Sequence, residues 1–536
     1  MRLKTKDKIK IYFFPHLVSF LHKMGISYKR LGEISFFAKS NLIAQANDLK
    51  NFKTVSTEKP QYIYVLLILP GSIYHLAIEA LLALGLKKRG HNITFVIDDN
   101  TLPIHELKRI GEEKNWDYTA QRDFILGSKI LTNMGLEWIS ISDFIKNNKG
   151  LHYKNKYNSI LEATLLKHYK VGMVTSNLPM LNNKKQLIKN AISISDEIGN
   201  QLVKLRPDKV IMSHGIYSTW GPAFYVLTKN KIPVLVHSRG KKKYSQVFNW
   251  NKTGDSWDVS EEWEKVKNIG LTKKQAKEIK NYLASRISHK NDVFVYNFGK
   301  ATTKEETIKK LGLDNNKPIY TLFTNVLWDA ASAQREIAFK NPIEWVIETI
   351  KWFNSHPDKQ LIVKIHPAEI VIGTNMPFYD IITSKVKPSN NIKIIKPEEK
   401  VNSWSIYDIT DLGLVHTTTA GMELPLVKKA CAVVSQTHYR GKGFTIDIDS
   451  KEEYFNVLDN FDPNEIDYEK QYELALRYAY LLFIRYQIPF NYFFEKISTS
   501  ISGFKYNNVD QYFSDRNFNS LIEKIIKKEN ILLKKY

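Results

Sequence analysis

From Gln61 onward the hydrophobic pattern becomes regular. YIYVLLIL is an unbroken apolar run of strand length, PGSIYH is a turn, and LAIEALLALGLKKRG is an amphipathic helix closed by Gly90. HNITFVIDD then reads as a second strand that ends on Asp98 and Asp99. Strand, glycine turn, helix and strand in so short a span make a βαβ unit, and therefore a parallel sheet.

The unit recurs. KLRPDKVIMSHGIYSTWGPAFYVLTKNKIPVLVHSRG reads as a helix end, the strand KVIMSH, a turn of glycine and aromatic residues, a helix and the strand PVLVH. A second series begins near Asn291 with the strand DVFVYNFG and a helix around KEETIKKLG. The strand PIYTLFT, the long loop NVLWDAASAQREIAF, the helix PIEWVIETIKWFNSH and the strand KQLIVKIHP come next. NIKIIKP, LVHTTTAGMELPLVKKACAVVSQ and a helical C-terminus complete it. The fold class is α/β, with two Rossmann-like, doubly wound parallel-sheet domains. The lysine-rich stretch between about Lys265 and Lys290 divides them, giving a basic N-terminal segment (1–57), a first domain (58–290), a second domain (291–495) and a basic helical tail (496–536). Ligands of such sheets sit outside the carboxyl ends of the strands. Two such domains facing a cleft are the GT-B arrangement of nucleotide-sugar transferases.

Length and composition agree: 536 residues exceed what one hydrophobic core supports, and 43% hydrophobic with 25% charged residues is a folded composition. The single Cys431 cannot form an internal disulfide, and neither a Cys cluster nor HExxH suggests zinc. No apolar run reaches membrane-spanning length and no secretion signal is recognisable, so a cytoplasmic protein is expected. The net charge of +23 points to an anionic partner, or to no more than a lysine-rich solvated surface. Residues 1–50 carry ten Lys/Arg against three Asp/Glu, interleaved with IYFFPHLVSFLHKMGI. That segment reads either as lying on an anionic membrane face, which would make the protein peripheral on the inner side of the plasma membrane, or as a helical hairpin packed on the first domain. Scattered lysines and the lack of any zinc-finger, RRM or helix-turn-helix pattern argue against nucleic acid.

The candidate chemistry collects at strand ends. Thr417, Thr418 and Thr419 leave a strand and Gly421 opens the next helix, a setting for phosphate or carboxylate oxygens, with Glu423 placed to accept from a ribose or sugar diol. The alternative is a threonine N-cap with Glu423 as its capping-box partner. IVKIHPAE ends a strand with Lys364, His366 and Pro367, from which the imidazole can donate to a phosphate oxygen. The long loop holds Asn325, Trp328, Asp329 and Arg335, and Asp329 is a candidate to meet the reacting sugar or an N-cap. In the first domain His75 and Glu79, at i and i+4, are candidates for the general base that deprotonates an acceptor hydroxyl. His214, Tyr217 and Arg239 line the same region, and Asp98, Asp99, His214 and Arg239 compete for that role. GxGxxG and the P-loop are absent, and the lone DxD, Asp447-Ile448-Asp449, lies too far along the second domain to read as a manganese site. A metal-independent mechanism is expected.

LVHTTTAGMELPLVKKACAVVSQTHYRGKGFT resembles the Ser/Thr–glycine–glutamate segment of bacterial capsule and surface polysaccharide glycosyltransferases. VKIHP resembles the HP motif that this group shares with Kdo transferases, bacterial sialyltransferases and CDP-alditol polymerases. TNVLWDA, PGSIYHLAIEALLALGLKKRGHNITFVID and HGIYSTWGP are similar to capsule glycosyltransferases, and together the likeness covers roughly residues 60–490. The resemblance implies a GT-B fold, a nucleotide-sugar donor (CMP-linked in several members), and His366 with Thr417–Thr419 around its phosphate, Glu423 on the ribose or base side. The activity this implies is an inverting glycosyltransferase with no cofactor beyond its nucleotide-sugar cosubstrate, extending a polysaccharide or lipid-linked glycan. A CDP-glycerol or CDP-ribitol phosphotransferase and a nucleotide-sugar 2-epimerase are the enzymatic alternatives; a basic nucleic-acid-binding protein or a membrane scaffold are the others.

Overall fold

The structure, a computed structural model, describes residues 42, 45–55, 57–104, 113–146, 151–287, 292, 299–329, 335–497 and 500–533. Most of the basic N-terminal segment and of the strand predicted at 292–299 lies outside them. The chain divides into two compact units: Met1–Thr164, Pro179–Asp255 and Gln487–Tyr536 form the first, Leu165–Leu178 and Ser256–Tyr486 the second.

The first unit contains β1 (Tyr62–Leu67), β2 (Asn92–Ile97), β3 (Glu137–Ser140), β4 (Lys209–Ser213), β5 (Val234–Arg239) and β6 (Ser245–Trp250). With the short strand Ile488–Pro489 they form one sheet, ordered Ile488–Pro489, β6, β5, β4, β1, β2, β3. β1 to β5 pair in parallel. β6 is antiparallel to β5, and so is Ile488–Pro489 to β6, a departure from the purely parallel sheet expected. Its cause is local: Gly240 N–H donates to Ser245 O at 3.0 Å, closing a turn too short for a parallel crossover.

The second unit contains β7 (Ile319–Phe323), β8 (Gln360–Lys364), β9 (Ile392–Ile395), β10 (Leu412–Val415), β11 (Ala430–Val433) and β12 (Ile446–Asp447), ordered β12, β11, β10, β7, β8, β9 and parallel throughout. Its strands are apolar on both faces, as a sheet covered by helices on both sides requires. In each unit the strand order reverses once, between β1 and β4 and between β7 and β10, and such a reversal opens a crevice at the carboxyl edge.

Two boundaries differ from the sequence reading. The first unit gives way to the second at Asp255, ahead of the lysine-rich stretch, whose helix Lys273–Ile287 belongs to the second unit. The C-terminal residues are not a separate helical tail. From Gln487 they add a strand, a hairpin (Phe493–Ile497 with Ser500–Phe504) and the helix Arg516–Lys527 to the first unit. Phe518, Leu521, Ile522 and Ile525 of that helix are buried in the first core, and a Cβ on Gly85 would lie 2.6 Å from Ile522 Cδ1. The hydrophobic half of a helix is satisfied there by a partner more than four hundred residues away, which periodicity along the chain does not reveal. Among the described residues no helix is long and apolar enough to cross a membrane.

Candidate functional site

At the reversal point of the first unit, β1 leads to His75, β4 to His214 and β5 carries His237. The His75 ring centroid lies 5.8 Å from that of His214 and 6.3 Å from those of His237 and Trp220. Ser72 begins the helix Ile73–Lys88, yet its hydroxyl makes no capping bond and instead meets His75 Nδ1 at 2.6 Å. Burial, followed by His214, His237 and Arg239, holds His75 well below the ordinary histidine range, so it is neutral near pH 7. His214 sits at φ +52° with Gly215 at +70°, a left-handed pair that turns the chain at this edge.

His75 and Glu79 separate here. Glu79 is 1% exposed and its Oε1 meets His237 Nε2 at 2.9 Å, while its Oε2 is buried and has no hydrogen-bond partner among the described residues. Burial pushes Glu79 well above the carboxylate range and lowers His237 to about 3, so the bridge is a neutral hydrogen bond holding one proton. Enclosed in this way, Glu79 cannot touch an acceptor hydroxyl; partly exposed His75 can. Arg239 lies over the Tyr74 ring at 4.3 Å, and Tyr217 is buried, its carbonyl accepting from Gly221 N–H at 2.7 Å. The competitors Asp98 and Asp99 are already engaged, Asp98 by Leu102 N–H at 3.2 Å and Asp99 by Thr101 Oγ1 at 2.7 Å and by Ser142 N–H at 3.3 Å. His237, Trp220 and Tyr74 join the cluster. The sequence signal for them was the pair of strand ends that also carry His214 and Arg239.

The reversal point of the second unit is built differently. Asn325, just past β7, donates through Nδ2 to Thr417 Oγ1 at 2.8 Å, and Thr417 N–H donates back to Asn325 Oδ1 at 3.2 Å, which fastens the β7 and β10 ends together. Thr324 Oγ1 accepts from His366 N–H at 3.0 Å. Ala368 N–H donates to His366 Nδ1 at 3.1 Å, so the neutral ring carries its proton on Nε2. Burial and Lys364 lower His366 to about 4, which makes it an uncharged N–H donor at neutral pH. Lys364 itself is buried and lowered to about 8 by desolvation; Glu399 and Lys310 are the charges it feels most, so it tunes His366 rather than lining the edge.

Thr417, Thr418 and Thr419 are half-exposed between buried His416 and Ala420. The helix they precede, Ala420–Glu423, is a single turn, too short to present the dipole that the sequence suggested. The capping box is also absent: Thr419 makes no side-chain cap bond. Glu423 accepts instead from Tyr407 Oη at 2.8 Å and from Arg286 Nη2 at 2.9 Å, and Arg286 also pairs with Asp292 at 2.9 Å. Both Glu423 oxygens are thus engaged inside the fold, which displaces the expected diol contact. Tyr439 donates to Thr418 O at 2.7 Å and its ring covers Gly421, where a Cβ would come within 2.5 Å of Tyr439 Oη. Glycine is required there by close approach. Asp329 is exposed, its N–H on Val326 O at 3.2 Å, and is not drawn into the Thr324–His366–Thr417 group. Of the DxD pair, Asp447 receives Gly441 N–H and the Thr445 hydroxyl, both at 2.7 Å, and so holds a turn.

Two doubly wound α/β units, each with polar side chains gathered at its reversal point, define the class of this protein. No protein-family model and no curated protein matches the sequence. Among solved structures the chain is similar to the Thermosulfurimonas dismutans KpsC β-Kdo 2,4 transferase, at 16% identity over 52% of this chain and 81% of that one, with a TM-score of 0.33. It is similar to the Methanocaldococcus jannaschii UDP-GlcNAc 2-epimerase in complex with UDP-GlcNAc and UDP (12%, 79% and 99%, TM-score 0.28) and to a glycosyltransferase from Rickettsia africae (13%, 79% and 94%, TM-score 0.23). Scores this low leave the functional reading to the chain's own edge residues.

Proposed function

We propose that this protein is a GT-B-type glycosyltransferase that draws on a nucleotide-activated sugar. The observation that carries the reading is His366: its Nδ1 accepts from Ala368 N–H, its ring is neutral with the proton on Nε2, and it stands at the reversal point of a doubly wound sheet, on the same edge as three half-exposed threonines. Donors fixed in advance in a partly buried place stabilise charge that develops on a leaving phosphate. The first unit holds a candidate base at its own reversal point. In the tautomer in which His75 Nδ1–H donates to Ser72 Oγ, Nε2 keeps the lone pair that a base needs, and the lowered pKa keeps it unprotonated.

In the proposed step the acceptor hydroxyl oxygen attacks the anomeric carbon as its proton leaves to a base. The bond from that carbon to the phosphate oxygen breaks, and the nucleotide leaves with its new charge toward His366 Nε2–H and the threonine hydroxyls. One displacement inverts the anomeric centre, and these protein donors take up the leaving charge. A CMP-linked donor and a surface polysaccharide or glycolipid acceptor, met at the cytoplasmic face of a membrane, complete the reading.

A thermal-shift screen against CMP, CDP, UDP, GDP and dTDP, repeated on His366→Ala, tests it. A nucleotide at 100 times its dissociation constant stabilises by about 2.7 kcal/mol, and that shift should vanish in the variant. No shift with any nucleotide would remove the reading. Product analysis then separates a new glycosidic bond from a phosphodiester or an altered free sugar nucleotide.

A further inference from the structure

We infer that Asn325 is a positioning residue that sets what the carboxyl edge of the second unit selects. By donating to Thr417 Oγ1 it leaves that hydroxyl's own hydrogen for the ligand, so the place beside it takes an ionised phosphate oxygen in preference to a neutral hydroxyl. The inference rests on reading that edge as a nucleotide-sugar site.

In the second sheet β7 lies between β10 and β8. The two residues that follow it, Thr324 and Asn325, are both buried and reach to opposite sides. Thr324 Oγ1 accepts from the backbone of His366, just past β8, and Asn325 holds Thr417, just past β10.

The hold on Thr417 has only one possible polarity. A backbone N–H can only donate, so Thr417 N–H fixes Asn325 Oδ1 toward itself at 3.2 Å and thereby turns Nδ2 to Thr417 Oγ1 at 2.8 Å. An amide nitrogen also only donates. Thr417 Oγ1 is therefore the acceptor of that bond, and its hydrogen points away from Asn325. Thr417 is half-exposed, and its side chain makes no other hydrogen bond among the described residues.

His366 shows the same device on the other side of β7. Ala368 N–H fills Nδ1 and puts the ring proton on Nε2. On both flanks a protein N–H occupies an acceptor and so turns a polar hydrogen of the same side chain to another direction. A phosphate oxygen brings lone pairs only, and its charge-assisted bonds to such donors are roughly twice as strong as those of a neutral group.

The test is titration of CMP, CDP, UDP, GDP and dTDP into wild type, Thr417→Val, Thr417→Ser, Asn325→Leu and the Asn325→Leu/Thr417→Val double variant, with His366→Ala as reference. Thr417→Val keeps the shape and the backbone bond to Asn325 and removes only the hydroxyl. It should weaken nucleotide binding by about tenfold to a hundredfold, and Thr417→Ser should restore it. Asn325→Leu should weaken binding comparably, yet add less than about threefold in the Thr417→Val background, because it acts through that hydroxyl. If urea midpoints show that Asn325→Leu does not fold, Asn325→Asp replaces it. Asn325→Asp keeps the shape but draws the hydroxyl hydrogen toward itself, and its effect should shrink in the Thr417→Val background. Cytidine and uridine, which lack phosphate, should not distinguish the variants from wild type; if they do, the hydroxyl serves the nucleoside and the phosphate assignment is overturned. If nucleotides bind and need His366 but Thr417→Val binds them as wild type does, or the two losses simply multiply, Asn325 only fastens strand ends; this inference falls and the proposed function stands. If no nucleotide binds wild type, both fall.

Discussion

The two sheets share a strand order through their first six strands, yet their carboxyl edges hold different chemistry. At the first, imidazoles gather: His75, His214 and His237 with Trp220, and a carboxyl, Glu79, so enclosed that it keeps its proton. At the second, the Ala368 N–H holds a single imidazole in one tautomer beside the Thr324 and Thr417 hydroxyls and the Asn325 amide. The topology settles where a ligand can approach; the side chains settle whether that place handles protons or holds charge. Under the proposed function, a repeated fold carries a division of labour.

The sharpest test of that contrast is a pair of substitutions. His75→Gln should lower kcat by about 10² to 10⁴ and leave the nucleotide thermal shift intact, because it removes only the base. His366→Ala should lower kcat by about 10² to 10³ and abolish the shift. The contrast breaks if His75→Gln weakens nucleotide binding or His366→Ala does not. Next in size is support: Arg286→Met leaves Glu423 and Asp292 without their shared cation and should cost about 3–5 kcal/mol, read from urea midpoints. A cost under about 1 kcal/mol would show that the network does not brace the threonine edge. Gly421→Ala drives a methyl into Tyr439 and should cost about 1–3 kcal/mol with weakened nucleotide binding.

The smallest effect is a flat line. His366 stays neutral down to about 4, so its own charge should add nothing to the affinity for a nucleotide sugar between pH 7 and pH 5.5, whereas an ordinary histidine would bind more tightly as it became charged. The same shift has a stability sign. Between about 4 and the ordinary 6.5 the unfolded chain binds more protons than the folded one, so this contribution is complete above pH 6.5 and is lost as pH falls toward 4. The stability of wild type relative to His366→Asn should shrink across that window, and a constant difference would mean that the ring is not held neutral.

The sequence disclosed what is local. YIYVLLIL, PIYTLFT and KQLIVKIHP are strands because they are apolar on both faces, and HP and TTT stand out because polar groups at the end of such strands have little structural reason to cluster. It did not disclose partners set by distance. Glu423 looks like a capping-box residue from its spacing to Thr419, but it is claimed by Tyr407 and by Arg286, which lies 137 positions upstream in a stretch that composition marks as a linker. Glu79 and His75 look equivalent on one helix face until His237, from β5, takes one of them. Lys167 reads as part of the first domain because nothing in its neighbourhood announces that the chain has passed to the other unit.

The helix Arg516–Lys527 gives the chain a timetable. On the ribosome, everything from Ser256 to Tyr486 emerges before the residues that fill the first core against Gly85, so the half of the molecule begun first is finished last. During that interval the apolar face of the helix Ile73–Lys88 stands uncovered, and a nascent chain halted before Gln487 is a target for chaperones and proteases even though its second half is complete.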